Sequence, residues 1–228
     1  MNATLSPSIL DYLDDLEKAV AELANTWRRD DPAYRADVYR QIMMSLSYGY
    51  FAYFHADAEH PDWAPLWNPV YSLQPNPDDI YLYSPIRGDL SYRVSGNRGT
   101  VTKLLFVSQH GISGMVDSFD QCSGVNSVDA IDLGIGADGE FELIFSAERP
   151  PGYQGNWASL SAEADTLFVR FRSYDWENEI DPRLSIECLN AVGPKPRLAP
   201  EQIVERIRQM AKMPVRNARC FYQMQNAI

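Results

Sequence analysis

Between residues 80 and 190 the chain is a succession of short alternating segments with no helical stretch among them. The pattern fits Ile80–Tyr83, Ser91–Ser95, Val101–Ser108, Val128–Leu133, Glu140–Ser146, Thr166–Tyr174 and Leu184–Leu189. In Thr166–Tyr174, Leu167, Val169 and Phe171 alternate with Phe168, Arg170 and Arg172, which places the two sets on opposite faces of one strand. Gly88-Asp89 and Gly96-Asn97 supply turns, and Ala137-Asp138-Gly139 leads into an alternating Phe141, Leu143, Phe145 run, a hairpin signature. A parallel sheet needs helical crossovers between strands, and none is written here. Roughly six to eight short strands spaced in this way predict a mainly-β α+β fold: an antiparallel β-sandwich or jelly-roll-like barrel.

The helices lie at the two ends. Ser6-Pro7 is a cap followed by a first-turn proline, and Ile9, Leu13, Leu16, Val20, Leu23 and Trp27 recur at helical spacing, predicting a helix over 7–27. Asp31-Pro32 repeats the signal, and a second helix runs to about Phe54 with Val38, Ile42, Leu46 and Gly49 on one stripe. Its second half is apolar nearly all round, which predicts burial on more than one side. Pro200-Glu201 opens a last helix with Ile203, Val204, Ile207 and Met210 on its apolar face. The expected organisation is one structural domain: a helical hairpin over 1–57, a proline- and aromatic-rich loop over 58–79, the β core over 80–190, and a linker with a C-terminal helix over 191–228. The loop carries five prolines, and its Trp63, Trp67 and Tyr71 favour an ordered course packed against the domain.

Charge and cysteines narrow the function classes. A formal net charge of −11 argues against phosphate-neutralising contact with nucleic acid and against anionic membrane surfaces. No apolar run approaches the ~18 residues of a membrane span, and the N-terminus reads as no secretory leader. Cys122, Cys188 and Cys220 are far apart, with no ligand spacing for a metal. A reducing cytoplasm is the expectation, with no cofactor and no resident metal.

Among the chemistry-bearing residues, His110 stands where a long apolar strand stops before Gly111, a reasonable place for a general base. Asn76, Asp78 and Asp79 precede a strand on which Tyr81 and Tyr83 point to one face. These polar groups read either as loop caps or as the mouth of a site. Arg93 lies inside an alternating strand, and if it faces inward it needs a carboxylate or an anionic ligand. Arg170 and Arg172 share a strand face, with Asp175, Glu177 and Glu179 as nearby acids.

Four segments occur in order: Asn76-Pro77-Asp78-Asp79-Ile80-Tyr81, Tyr92-Arg93-Val94-Ser95-Gly96, Gly155-Asn156-Trp157, and Val169-Arg170-Phe171 through Asp175-Trp176-Glu177-Asn178-Glu179. In these the chain resembles bacterial proteins of the domain of unknown function 1214 family, over about residues 35–215. The resemblance implies a β-sandwich core with flanking helices and no settled activity. It also implies longer relatives with a further β region, so completion of a pocket by a second subunit, as in a homo-oligomer, stays open.

The functional expectation is an enzyme without redox cofactor, doing acid–base chemistry of the lyase, hydratase or isomerase type on a hydrophobic or aromatic small molecule held in the sandwich. His110, Asp79 and Tyr81 are the catalytic candidates. Asn76, Asp78, Tyr83, Arg93, Trp67, Trp157 and Arg170 are the substrate-binding ones. The alternatives are a non-catalytic ligand-binding or assembly module and a metal-dependent hydrolase using His110 with Asp or Glu.

Overall fold

The computed structural model describes residue 11 and residues 16–23, 31–67 and 76–226. Residues 16–23 are helical (α1), and the rest of the helix expected over 7–27 lies outside the described residues, residue 11 apart, which is also helical. Helix α2 spans Pro32–Tyr50, with the Asp31 side chain accepting from the Ala33 N–H 2.9 Å away and proline in the first turn. It continues as a π-helical turn, Phe51–His55. The carbonyls freed at that end are met by cations from elsewhere: Arg206 donates to the Tyr53 carbonyl at 2.7 Å and Lys195 to the His55 carbonyl at 2.9 Å. Helix α3 runs Pro200–Asn226 with Pro214 in its interior.

The described residues hold nine strands in chain order: β1 Ala64–Pro65, β2 Asp79–Pro85, β3 Tyr92–Asn97, β4 Lys103–His110, β5 Ser123–Asp129, β6 Glu140–Ser146, β7 Asn156–Ser159, β8 Thr166–Arg172 and β9 Arg183–Cys188. They form two open sheets, in the orders β1-β2-β8-β4-β5 and β7-β6-β3-β9, so the architecture is a mainly-β sandwich and not a closed barrel. All pairings are antiparallel except β6 with β7. The expected strand over Val128–Leu133 is displaced. The paired segment is Ser123–Asp129, and Ala130–Asp132 forms a 3-10 turn capped by Asp129. Strand β7 was not expected; its four residues are too few to show a period.

The sandwich interior is filled by side chains from both sheets. Leu104, Phe106, Leu143, Phe145, Leu167, Val169, Tyr92 and Val94 are essentially without exposure. Each contributes about 1.5–3 kcal/mol relative to an exposed position. A substrate held between the sheets, as the sequence suggested, would have to displace this packing. Gly96 has φ +150°, and a Cβ there would lie 1.9 Å from the Arg183 carbonyl oxygen of the neighbouring strand, so only glycine fits at this point of the β3–β9 pairing.

The first sheet is covered on its other face too. Tyr83 of β2 and Phe168 of β8 point away from the sandwich and pack with Tyr48 and Ala52 of the α2 end, Leu66, Ile112 and Met213 of α3. A third cluster, Leu23, Val38 and Ile42 with Ala218 beside it, joins α1, α2 and α3. The molecule is therefore three layers: sheet, sheet, helices. The helical layer decides where a site can open on the outer face of the first sheet. No helix of the described residues is long and apolar enough to cross a membrane.

Candidate functional site

On the outer face of the first sheet, at the end remote from β4's C-terminus, one carboxylate organises its surroundings. Asp79 is the first residue of β2 and has no exposure. Antiparallel pairing sets Asp79 opposite Arg172 and Tyr81 opposite Arg170 on β8, and residues two apart share a face, so the strand register alone brings these four side chains together. Arg172 Nε donates to Asp79 Oδ1 at 2.6 Å, and its Nη2 to Oδ2 at 2.7 Å, a bidentate pair. Arg170 adds Nε and Nη2 to Oδ2 at 2.9 and 2.5 Å. Asn76 Nδ2 donates to the same oxygen at 2.5 Å, and the Tyr81 hydroxyl lies 3.3 Å from it.

Burial works against ionisation of Asp79, but the hydrogen bonds and charges of Arg172 and Arg170 outweigh it and hold the carboxyl at about 2. Asp79 therefore has no basicity to offer near neutral pH. Tyr81 is raised, chiefly by burial, and keeps its proton. It is a hydrogen-bond donor and not a ready base.

Aromatic rings flank the guanidinium groups. Arg170 Cζ lies 5.6 Å from the Tyr81 ring centroid, and Arg172 Cζ lies 5.8 Å from that of Tyr174. Trp67 meets Tyr81 edge-on at 5.2 Å and tilts against Phe168 at 6.2 Å. The Arg170 and Arg172 side chains stay 30% and 24% exposed, so both reach the surface from a buried anchor. One carboxylate against two guanidinium groups leaves a net positive charge. Lys103, on the same face of β4, stands 3.5 Å from Asp129.

Of the residues singled out from the sequence, Asn76, Asp79, Tyr81, Arg170 and Trp67 meet here, with Tyr83 further along the same strand face, fully buried under the helices. Arg172 completes the cluster. The acid that pairs the two arginines is Asp79, not Asp175, Glu177 or Glu179; of these, Glu179 instead accepts from Thr102 and the Tyr174 N–H. The signal was present as two alternating strands, but their register was not.

Other candidates lie elsewhere. His110 ends β4 beside Gln109, which pairs with Thr166 at the opposite end of β8 from Arg172. Six strand residues separate those levels, about 20 Å at about 3.3 Å per residue, so His110 does not share a site with Asp79 and Tyr81. Its partner is Asp165: Nδ1 to Oδ2 is 2.8 Å, and the Asp165 Oδ1 accepts from the Gly111 N–H at 2.8 Å and the Thr166 hydroxyl at 2.9 Å. Asp165 is 55 residues away in the chain and carries no pattern of its own, so no sequence signal marked it.

Arg93 does not face the interior. It lies on the outer face of the second sheet, paired with Glu187 and Glu142. Alternation fixed which residues it shares a face with, but not which face is core. Trp157 is on the edge strand β7, its indole N–H donating to Ser146 Oγ at 3.0 Å. Asp78 lines an open groove of about 440 Å³ with Ile80, Phe171, Trp176 and Asp181, on the other side of the β2–β8 pair from Asp79. Among the described residues no group of three or more His, Cys, Asp or Glu is arranged to hold a metal ion.

Comparison with known proteins places the fold. No protein-family model matches the chain, and no curated protein matches it. The chain is similar to the crystal structure of an uncharacterised protein from Burkholderia cenocepacia, with a TM-score of 0.81 and 26% identity, over 92% of this chain and 57% of that one. A protein from Vibrio parahaemolyticus gives a TM-score of 0.38 and 14% identity, over 75% of this chain and 44% of that one. The chain thus spans little more than half the length of the first of these structures.

Proposed function

We propose that this chain binds a small organic anion, a carboxylate on an aromatic or apolar body, at Arg170 and Arg172. The observation that carries the reading is the buried Asp79. It fixes both guanidinium groups in place while neutralising only one of them, and both remain partly exposed beside Tyr81, Trp67 and Tyr174. Pre-oriented arginine is a strong carboxylate receptor because little side-chain freedom is lost on binding. The Tyr81 ring, its hydroxyl turned to Asp79, adds an aromatic wall beside Arg170. The same reading sets the chain beside the domain of unknown function 1214 proteins, because two of the segments that carry the resemblance meet at Asp79. A reducing compartment is part of the proposal, supported by the free Cys122, Cys188 and Cys220.

The test is titration with 4-fluorobenzoate, followed by fluorine NMR and calorimetry. Saturable binding is expected, weakening at least about tenfold in Arg170→Gln, the loss typical of a charged hydrogen bond. Absence of binding, or equal affinity in the variant, overturns the reading.

A second reading, acid–base catalysis, is favoured by His110 and Asp165. A carboxylate on Nδ1 holds the imidazole in the tautomer that leaves Nε2 as the basic nitrogen. Ring-nitrogen NMR should show the Nδ1–H tautomer in the native protein and a mixture in Asp165→Asn. A mixture already in the native protein removes this reading.

A further inference from the structure

Helices α2 and α3 pack tightly at Gly49 of α2 and again where Ala218 of α3 lies beside Val38 and Ile42. At Gly49 a Cβ would lie 2.9 Å from Met210 Cγ and 3.0 Å from Met213 Cγ, so the backbone of α2 is pressed against α3 there. Toward the start of α2 lies a half-open cavity of about 380 Å³, with Leu23 of α1 among the residues that line it. Val38, Ile42, Pro214, Ala218 and Phe221 make its walls largely apolar. The volume falls in the range of small-molecule sites.

Two polar side chains are built into these walls. Asn217 is 7% exposed and Ser45 is 6% exposed, and both line the cavity. The Asn217 Oδ1 is buried with no hydrogen-bond partner among the described residues. An unpaired buried amide oxygen costs on the order of 1–3 kcal/mol, a cost that a hydrogen-bonding group entering the cavity would relieve. Among the described residues that line the cavity, Asp37 is the one that is charged, and its negative charge disfavours a carboxylate there.

We infer that this cavity is a second ligand site, for a neutral apolar molecule carrying a hydroxyl group, such as a phenol or a medium-chain alcohol, bound through Asn217. A hydroxyl both donates and accepts, so it satisfies the amide whichever way its oxygen and nitrogen are turned. The anionic group that suits Arg170 and Arg172 is disfavoured beside Asp37, and the two sites select opposite chemistries.

Fluorine NMR with 4-fluorophenol, fluorobenzene and 4-fluorobenzoate separates the two sites. In the native protein 4-fluorophenol should bind about tenfold tighter than fluorobenzene, the worth of one buried hydrogen bond that would otherwise be unmade. Asn217→Leu should bring that ratio close to one while leaving 4-fluorobenzoate unaffected. Arg170→Gln should do the reverse, weakening 4-fluorobenzoate and sparing 4-fluorophenol, so failure of either site is distinguishable from failure of the other. Intermolecular NOEs from the phenol should fall on the Leu23, Val38 and Ile42 methyl groups of the native chain, a readout independent of how any variant folds. No saturable phenol binding, NOEs to other methyl groups, or an unchanged ratio in Asn217→Leu overturns the inference.

Discussion

Asp79 is both fully buried and ionised, a combination that is costly unless every oxygen lone pair is met. Two guanidinium groups, the Asn76 amide and the Tyr81 hydroxyl meet them. Its carboxyl sits at about 2 in the folded chain against 3.8 ordinarily, a difference worth about 2 kcal/mol. Because the folded value is the lower one, this stabilisation is complete above about pH 4. It is lost as the pH falls from there through about 2. Urea denaturation from pH 6 to 2 should show that loss, and Asp79→Asn should abolish the Asp79 part of the slope. At pH 7 the same variant should be less stable by about 3–5 kcal/mol, because it leaves two arginines around an amide. A flat difference between the two proteins across this range would show that Asp79 does not titrate as described.

At the scale of elements, strand β8 shows how alternation and burial part company. Leu167, Val169 and Phe171 face the sandwich, as the pattern required. The opposite face was not simply solvent: Phe168 lies under the helical layer and only Arg170 and Arg172 reach its margin. That layer depends on the α2–α3 crossing at Gly49. Gly49→Ala gains about 1 kcal/mol of helix propensity against the crowding of Met210 and Met213, and should be near neutral. Gly49→Leu adds bulk with nowhere to go and should cost about 1–3 kcal/mol, read as a shift in the urea midpoint. Equal stability of the two variants would mean that the helices do not touch there as described. The alternation of β2 and β8 was legible before any coordinates, whereas their register, and with it the meeting of Asp79 with Arg170 and Arg172, was not. Register depends on which strands pair, and no local pattern states that.

For the whole molecule, the chain passes repeatedly between the two sheets: β2 to β3, β3 to β4, β5 to β6, β7 to β8 and β8 to β9 all change sheet. Such pairings are non-local, so folding on the ms–s scale is the expectation for this topology. The similarity to the Burkholderia structure at 26% identity shows that the three-layer arrangement survives replacement of most side chains. That fits a core that needs apolar residues of about the right size more than particular ones. The net charge of −11 is compatible with a local surplus of positive charge because Arg170 and Arg172 draw on one buried carboxylate between them.

By itself the sequence determined the fold class, the helices at the two ends, the apolar stripe of the β strands, and the short list of polar residues from which a site could be built. These follow from local periodicity, caps and turns, which act over a few residues. Tertiary structure alone decided which of those residues meet. It separated His110 from Asp79 and supplied Asp165, and it turned Arg93 outward. It closed the sandwich interior and opened a cavity between the helices. Each outcome depends on contacts between segments distant in the chain, and the free energy of those contacts exists only once strands and helices have packed.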